Sequence, residues 1–435
     1  VDWRKPQRKP AHGSSQLRGK VVPFQGETKP PGTKPQSGWR AWLSRIAPGI
    51  VTGASDLDPS AVVTATVIGA AFWFSLLWLV VLCVPFLLAI FSVTARVGVQ
   101  TRKGLFDLLR VHYGRKLSIV AAALTITSSM AVIIADLMAV SDAFSIFIDV
   151  PRTFLVGAIA FSVWYILIFR DYRRITQALV WFSLPLYVYV LAAILMKPSI
   201  SQLLWHSLVP HLPQNGHLLD GVIAIFGSLL TPYILLWQAS SRTDPEHEPH
   251  QADAYAATLI SGLLFFSVMV CAASVLHLKE PIDMTTRQAA EALSPAVGGY
   301  GKFVFALGII GSGLVALPVL VGSMCYDVAQ SLGWEYGLSS FPWHAKRFYL
   351  LISGAMIAAT IANFTPINPV KALYWSMILA GILTVPTLAF ILVVSNDTRI
   401  VRTKNTVWQN FAIGAAAGGC AAATLLYLGR VVLHL

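Results

Sequence analysis

Charge is what this chain of 435 residues has least of: Asp, Glu, Lys and Arg together make up 12% of it. Water-soluble domains carry about twice that share, so the two or three soluble domains that the length alone would allow are excluded. Cysteine is equally scarce. Cys83, Cys271, Cys325 and Cys420 lie far apart, each inside an apolar run. That placement offers neither a disulfide framework nor metal-ligand spacing, and it predicts small core residues. No Gly-x-x-x-x-Gly-Lys-Ser/Thr loop occurs, which argues against ATP-driven work by this chain alone. No acid–base or nucleophile set stands out within the apolar runs, so an enzyme is not expected. A sensor would carry a folded soluble segment, and the sequence shows none.

What the chain does have is apolar surface: 56% of its residues, with a mean hydropathy of +0.66. Bilayer-spanning helices need about 20 such residues each. The sequence offers spans near 43–71, 75–98, 117–147, 151–169, 175–196, 217–240, 253–277, 299–329, 347–362, 370–395 and 406–430. The expected fold class is therefore an all-α integral membrane protein of about eleven transmembrane helices. The net charge of +12 is concentrated at one end, since ten of the 32 basic residues fall within the first 45. Residues 1–42, rich in Pro, Gly, Gln and Ser without apolar period, read as a disordered basic cytoplasmic tail. They lack the apolar centre of a signal peptide. Residues 43–435 read as the transmembrane domain.

Basic residues of the connecting loops set the expected orientation. The loops after spans two, four, six, eight and ten hold Arg102, Lys103, Arg110, Arg170, Arg173, Arg242, Lys346, Arg399, Arg402 and Lys404, among others. The alternate loops hold fewer than half as many. The N-terminus is expected inside and the C-terminus outside, in the plasma (inner) membrane. Partners are expected to be the bilayer and a small cargo; scattered basic loops do not make a nucleic-acid surface.

Two spans break the helical rules. The first, APGIVTGASDLDPSAVV, carries Asp56, Asp58 and Pro59 at its middle, and the sixth, AIFGSLLTPYILLWQ, carries Thr231 and Pro232 at its centre. Proline removes a backbone donor and disrupts the preceding turn; in lipid such a break survives only where protein or a wet cavity satisfies the freed groups. Spans one and six correspond if one to five and six to ten are two halves. Interrupted helices at matching places are a sequence pointer to a transporter's substrate site.

The stretch from Ala47 to Asp107 resembles the start of the Nramp family of divalent-metal transporters, as do IIADLMAV in span three and FGSLLTPY in span six. The resemblance implies the leucine-transporter-type 5+5 inverted repeat, with repeat one over about 43–197, repeat two over about 217–395 and an extra helix at about 406–430. It also implies a divalent cation bound between broken helices one and six. The motifs are altered, however. The family's Asp-Pro-Gly-Asn stands here as Asp58-Pro59-Ser60-Ala61, and its Met-Pro-His as Thr231-Pro232-Tyr233. Gln238 takes the place of a second family histidine, and in span three Asp136 remains while Ala139 replaces a glutamate. These departures are similar to those of the Nramp-related magnesium transporters.

Ligand chemistry leads the same way. Thioethers suit soft transition metals, whereas carboxylate, carbonyl and hydroxyl oxygens suit magnesium, calcium or manganese; magnesium in particular keeps several waters. Asp58 is the expected direct ligand. Asp56, Ser60, Thr231, Tyr233 and Gln238, with unwound backbone around Ser55 and Ser228, are the expected contacts to the ion or its hydration shell. No cofactor is expected, the metal being cargo. The first expectation is Mg2+ uptake, with Mn2+ also passing, without obligatory proton coupling. Proton-coupled manganese or iron uptake is the alternative, and sodium-coupled transport of an organic solute on the same fold is a further one. Two patterns are set aside: Gly311-Ser312-Gly313 and the pair Gly414 and Gly418 read as helix-packing spacings, and His247 and His250 as part of a solvated polar loop.

Overall fold

The computed structural model describes residues 57–169, 180–213, 217–241, 251–276, 281–293, 298–338 and 345–433, all within the unit Leu43–Leu435. Every regular element among them is helical. Helix α1 (Pro59–Phe72) starts at Pro59 because proline fits the first helical position, where its missing donor would be unpaired in any case. All of its residues but Ala71 are buried, so it has no polar face and runs through the interior. Its axis comes close to a neighbour at Gly69, where an added Cβ would meet the Met269 carbonyl oxygen at 2.4 Å.

Helix α2 (Leu77–Thr101) leads to a short helix α3 (Leu105–His112) and then to α4 (Arg115–Phe144) and α5 (Arg152–Phe169). The chain continues as a 3-10 segment, Val180–Tyr187, into α6 (Val188–Leu195). There it turns through 117° at a short break into α7 (Ile200–Leu208). No residue of α7 is buried. The sequence predicts a connecting loop here; instead an amphipathic helix forms, a shape suited to lying along a membrane interface.

Helices α8 (Leu218–Leu229) and α9 (Pro232–Ser240) are the two halves of the sixth span. They are followed by α10 (Gln251–Val275), the short α11 (Thr286–Ala290), α12 (Gly301–Leu332), α13 (Lys346–Ala362), α14 (Pro369–Asn396) and α15 (Val407–Leu433). Each of the eleven expected spans thus contains helix. Among the described residues eight helices are long and apolar enough to cross a bilayer, or nine if the bent pair counts as one. The described part of the first span is only the shorter Pro59–Phe72.

Two glycine contacts fix the core. A Cβ on Gly313 of α12 would lie 2.1 Å from a Val140 methyl of α4 and 3.1 Å from the Pro59 ring, which locks three helices together at the start of α1. A Cβ on Gly227 of α8 would lie 1.9 Å from the Met377 carbonyl oxygen of α14. The small-residue reading of Gly313 therefore agrees with the packing. That of Gly414 and Gly418 is corrected, because nothing lies within 4 Å of a Cβ at either position. The buried face of α15 is made instead by Ala412, Ala416, Cys420 and Ala423. All four cysteines are free and buried.

Candidate metal centre

Asp58 caps the N-terminus of α1, and its Oδ1 accepts the Ala61 backbone N–H at 2.7 Å. A carboxylate at this position satisfies an unpaired first-turn donor and meets the positive end of the helix dipole. Its other oxygen, Oδ2, accepts from the Tyr233 hydroxyl at 3.1 Å. Tyr233 belongs to the first turn of α9, so this one bond joins the N-terminal ends of α1 and α9. Asp58 is 1% exposed.

Ser60 joins a second carboxylate to the same turn. Both its backbone N–H, at 3.0 Å, and its hydroxyl, at 2.5 Å, donate to Oδ1 of Asp136 on α4. The other Asp136 oxygen is buried with no hydrogen-bond partner. Two carboxylates thus flank the first turn of α1, each taking one of its backbone donors.

The break in span six is built differently. Between Leu229 and Pro232 the backbone leaves the helix at Leu230 and Thr231. The Thr231 hydroxyl turns back to donate to the Gly227 carbonyl at 2.7 Å and the Ser228 carbonyl at 3.1 Å. The Leu230 carbonyl accepts from the Thr384 hydroxyl of α14 at 3.1 Å. With its proton engaged, Thr231 keeps oxygen lone pairs for an electropositive guest. The Ser228 hydroxyl is buried without a partner. The C-terminal end of α8, negative by its dipole, also favours a cation.

The structure therefore joins Asp58 to Tyr233 by a hydrogen bond, while Ser60, in the turn that Asp58 caps, is held by Asp136, and Thr231 and Ser228 lie at the break of span six that leads into the helix of Tyr233. Gln238, on the same short helix, is half-buried and no described hydrogen bond joins it to these residues. Ser55, Asp56, His247 and His250 lie outside the described residues. Sequence reasoning did not place Thr384, an unremarkable threonine in an apolar span, or Asp327, a carboxylate within span eight that is 1% exposed. No cluster of three or more His, Cys, Asp or Glu side chains occurs among the described residues. The described donor set is hard oxygen throughout.

A family model described as natural resistance-associated macrophage protein-like matches residues 49–429. The chain belongs to the Nramp family. Among curated Nramp relatives it is 26% identical over 306 residues to the metal transporter NRAT1 of Oryza sativa subsp. japonica, covering 64% of this chain and 55% of that one. It is 25% identical over 312 residues to the divalent metal cation transporter MntH of Yersinia enterocolitica, covering 68% and 75%. Its match thus spans little more than half the length of the plant relative. In three dimensions a mutant of the Eremococcus coleocola manganese transporter superposes with a TM-score of 0.70 at 17% identity, covering 91% of this chain and 88% of that one. The nucleobase-cation-symport-1 family transporter MHP1 superposes with 0.56 at 12% identity, covering 89% and 92%. At these identities the two structures speak for the fold alone, which is the expected one.

Proposed function

We propose that this Nramp chain is a carrier, not an enzyme, and that it moves divalent cations, Mg2+ foremost and Mn2+ with it, into the cell across the plasma membrane. The N-terminus would be cytoplasmic and the C-terminus outside. The observation that carries the reading is the hydrogen bond between Asp58 and Tyr233: it joins the proline-headed starts of α1 and α9 around a buried carboxylate, a place where a cation would find a counter-charge within an apolar interior. Buried intramembrane carboxylates are costly unless they meet a cation or exchange a proton. In this reading Asp58 is the direct ligand, Thr231 offers a hard oxygen, and Ser228, Ser60, Tyr233, Gln238, Ser55 and Asp56 meet the ion or its shell. Relatives named as a metal transporter and a divalent metal cation transporter support the cargo class. The absence of a thioether at Thr231 supports the preference for magnesium.

The family histidine and glutamate positions hold Tyr233, Gln238 and Ala139, which supports transport without obligatory proton movement. One observation favours the proton-coupled alternative: Asp136 has a free buried oxygen and is tied through Ser60 to the turn that Asp58 caps. Proteoliposome uptake of Mg2+ and Mn2+, with and without a pH gradient, tests both. Asp58→Ala is expected to abolish saturable uptake in a monodisperse protein. Full activity in that variant would remove the site. Vesicle acidification that follows the metal and disappears in Asp136→Asn would establish the proton-coupled mechanism instead.

A further inference from the structure

Asp327 is the one buried carboxylate among the described residues with neither oxygen hydrogen-bonded. It lies on α12, far from the Asp58 turn in sequence, and nothing in the central site uses it. Its neighbours along the helix are polar at helical spacing. Ser323 precedes it by four residues and Gln330 follows it by three, so all three share one face.

That face looks onto α9, the half of span six that leads away from the break. The Ser323 hydroxyl donates to the Tyr233 carbonyl at 3.2 Å, and the Gln330 amide donates to the Ser240 hydroxyl at 3.1 Å. Asp327 sits between these two contacts, about 6 Å along the helix axis from Ser323. The Gln330 side-chain oxygen is buried with no donor, and the Ser323 hydroxyl, its proton engaged, still offers lone pairs. The result is a row of oxygen acceptors without donors. It starts beside the backbone of Tyr233, whose hydroxyl holds Asp58, and ends near the C-terminus of α12. A buried carboxyl without partners and two neutral acceptors with nothing to accept from are what a cation would complete.

We propose that Asp327, with the side-chain oxygens of Gln330 and Ser323, forms an inner cation station that the divalent ion occupies after it leaves Asp58. The inference rests on the carrier reading above. A second carboxylate further along the path draws the ion from the central site and limits how far it must travel without a counter-charge.

Mn2+ binding to the purified full-length chain, counted by the electron paramagnetic resonance of the free ion, tests the station. Wild type is expected to bind Mn2+ in two classes. Asp58→Ala is expected to lose transport and the stronger class while keeping the weaker. Asp327→Asn is expected to keep the stronger class and lose the weaker, with maximal uptake slowed roughly tenfold at unchanged KM. Asp327→Glu should restore the weaker class, which a purely structural role would not require. Gln330→Met, which keeps the volume and removes the oxygen, should weaken that class and serves should Asp327→Asn fail to stay monodisperse. The proposal is overturned by a weaker class that survives Asp327→Asn or Gln330→Met unchanged, by wild-type maximal uptake in Asp327→Asn, or by displacement of that class by excess sodium chloride. An Asp58→Ala protein that keeps both classes and still transports would sink the central-site reading alone, while the Asp327 variants still decide this one.

Discussion

Thr384→Val probes how the break in span six is held. The Thr384 hydroxyl donates to two carbonyls, Ala380 of its own helix at 2.8 Å and Leu230 at 3.1 Å. The Ala380 carbonyl lies within a regular helix and still has its backbone donor when the hydroxyl goes. The Leu230 carbonyl has no other described donor, because the chain leaves helical geometry there and the Ile234 N–H donates to the Thr231 carbonyl instead. Valine keeps the shape and leaves one buried acceptor unpaired, at a cost of about 1–3 kcal/mol.

That cost corresponds to a fall in melting temperature of roughly 1–3 °C for a chain of 435 residues. Intrinsic fluorescence during heating in detergent measures it. Thr387→Val is the control: its hydroxyl donates only to the Leu383 carbonyl one turn back, at 2.9 Å, so no acceptor is orphaned and the melting temperature should hold. Thr384→Ser should restore most of the loss. Uptake in liposomes should fall with Thr384→Val and not with Thr387→Val, because only the first loosens the break beside Thr231. Equal shifts in the two valine variants, or none in either, would refute the idea that Thr384 holds the break.

Thr231→Met should raise Cd2+ and Mn2+ binding relative to Mg2+ in competition titrations, since it restores a soft ligand at the break; an unchanged ranking would separate Thr231 from selectivity. Gly227→Ala should fail to give monodisperse protein, its Cβ falling 1.9 Å from a backbone oxygen, whereas Gly414→Ala, with open space around it, should be tolerated and gain up to about 1 kcal/mol in helix propensity. The Arg399 side chain and then the Tyr113 hydroxyl, both hydrogen-bonded to Asp397 in the loop before α15, hold that carboxyl well below the ordinary range. A lowered pKa gives stabilisation that is complete above the ordinary carboxylate range and lost only in strong acid. Asp397→Asn should therefore leave the pH profile of uptake between about 5 and 8 unchanged in shape, and a profile that moves would contradict the assignment.

The helices, the start of α1 and the break in span six were legible in the sequence because they depend on local rules. Apolar length marks a span, and Pro59 and Pro232 each mark a first helical position. Contacts between distant segments were not legible. That Ser60 gives both its donors to Asp136, 76 residues away, follows from how α1 crosses α4 at Gly313. No spacing in either segment announces it. Helix α7 was missed for the opposite reason: it is nine residues long, too short to register as a span, and Leu204 and Leu208 on it face outward. Gly414 and Gly418 show the limit of pattern alone. Four-residue spacing says which residues share a face, and only the packing says whether that face meets another helix.

The bond between Tyr233 and Asp58 bears on selectivity beyond its role in closing the site. A hydrated magnesium ion presents outward-pointing O–H donors, and a carboxylate that receives such donors need not strip the ion to hold it. The Tyr233 hydroxyl is itself an O–H donor placed on Oδ2 of Asp58, in the position that a water of the ion's shell would take. The centre thus already pairs the carboxylate with a donor, and on the proposed reading the ion displaces that donor to bind Asp58 directly while keeping the rest of its shell. A methionine at Thr231 or an amide at Ala61 would offer direct ligands and reward dehydration instead. On the proposed reading, their absence supports a preference for an ion that gives up water reluctantly, with Thr231, Ser228 and the unpaired oxygen of Asp136 meeting its shell.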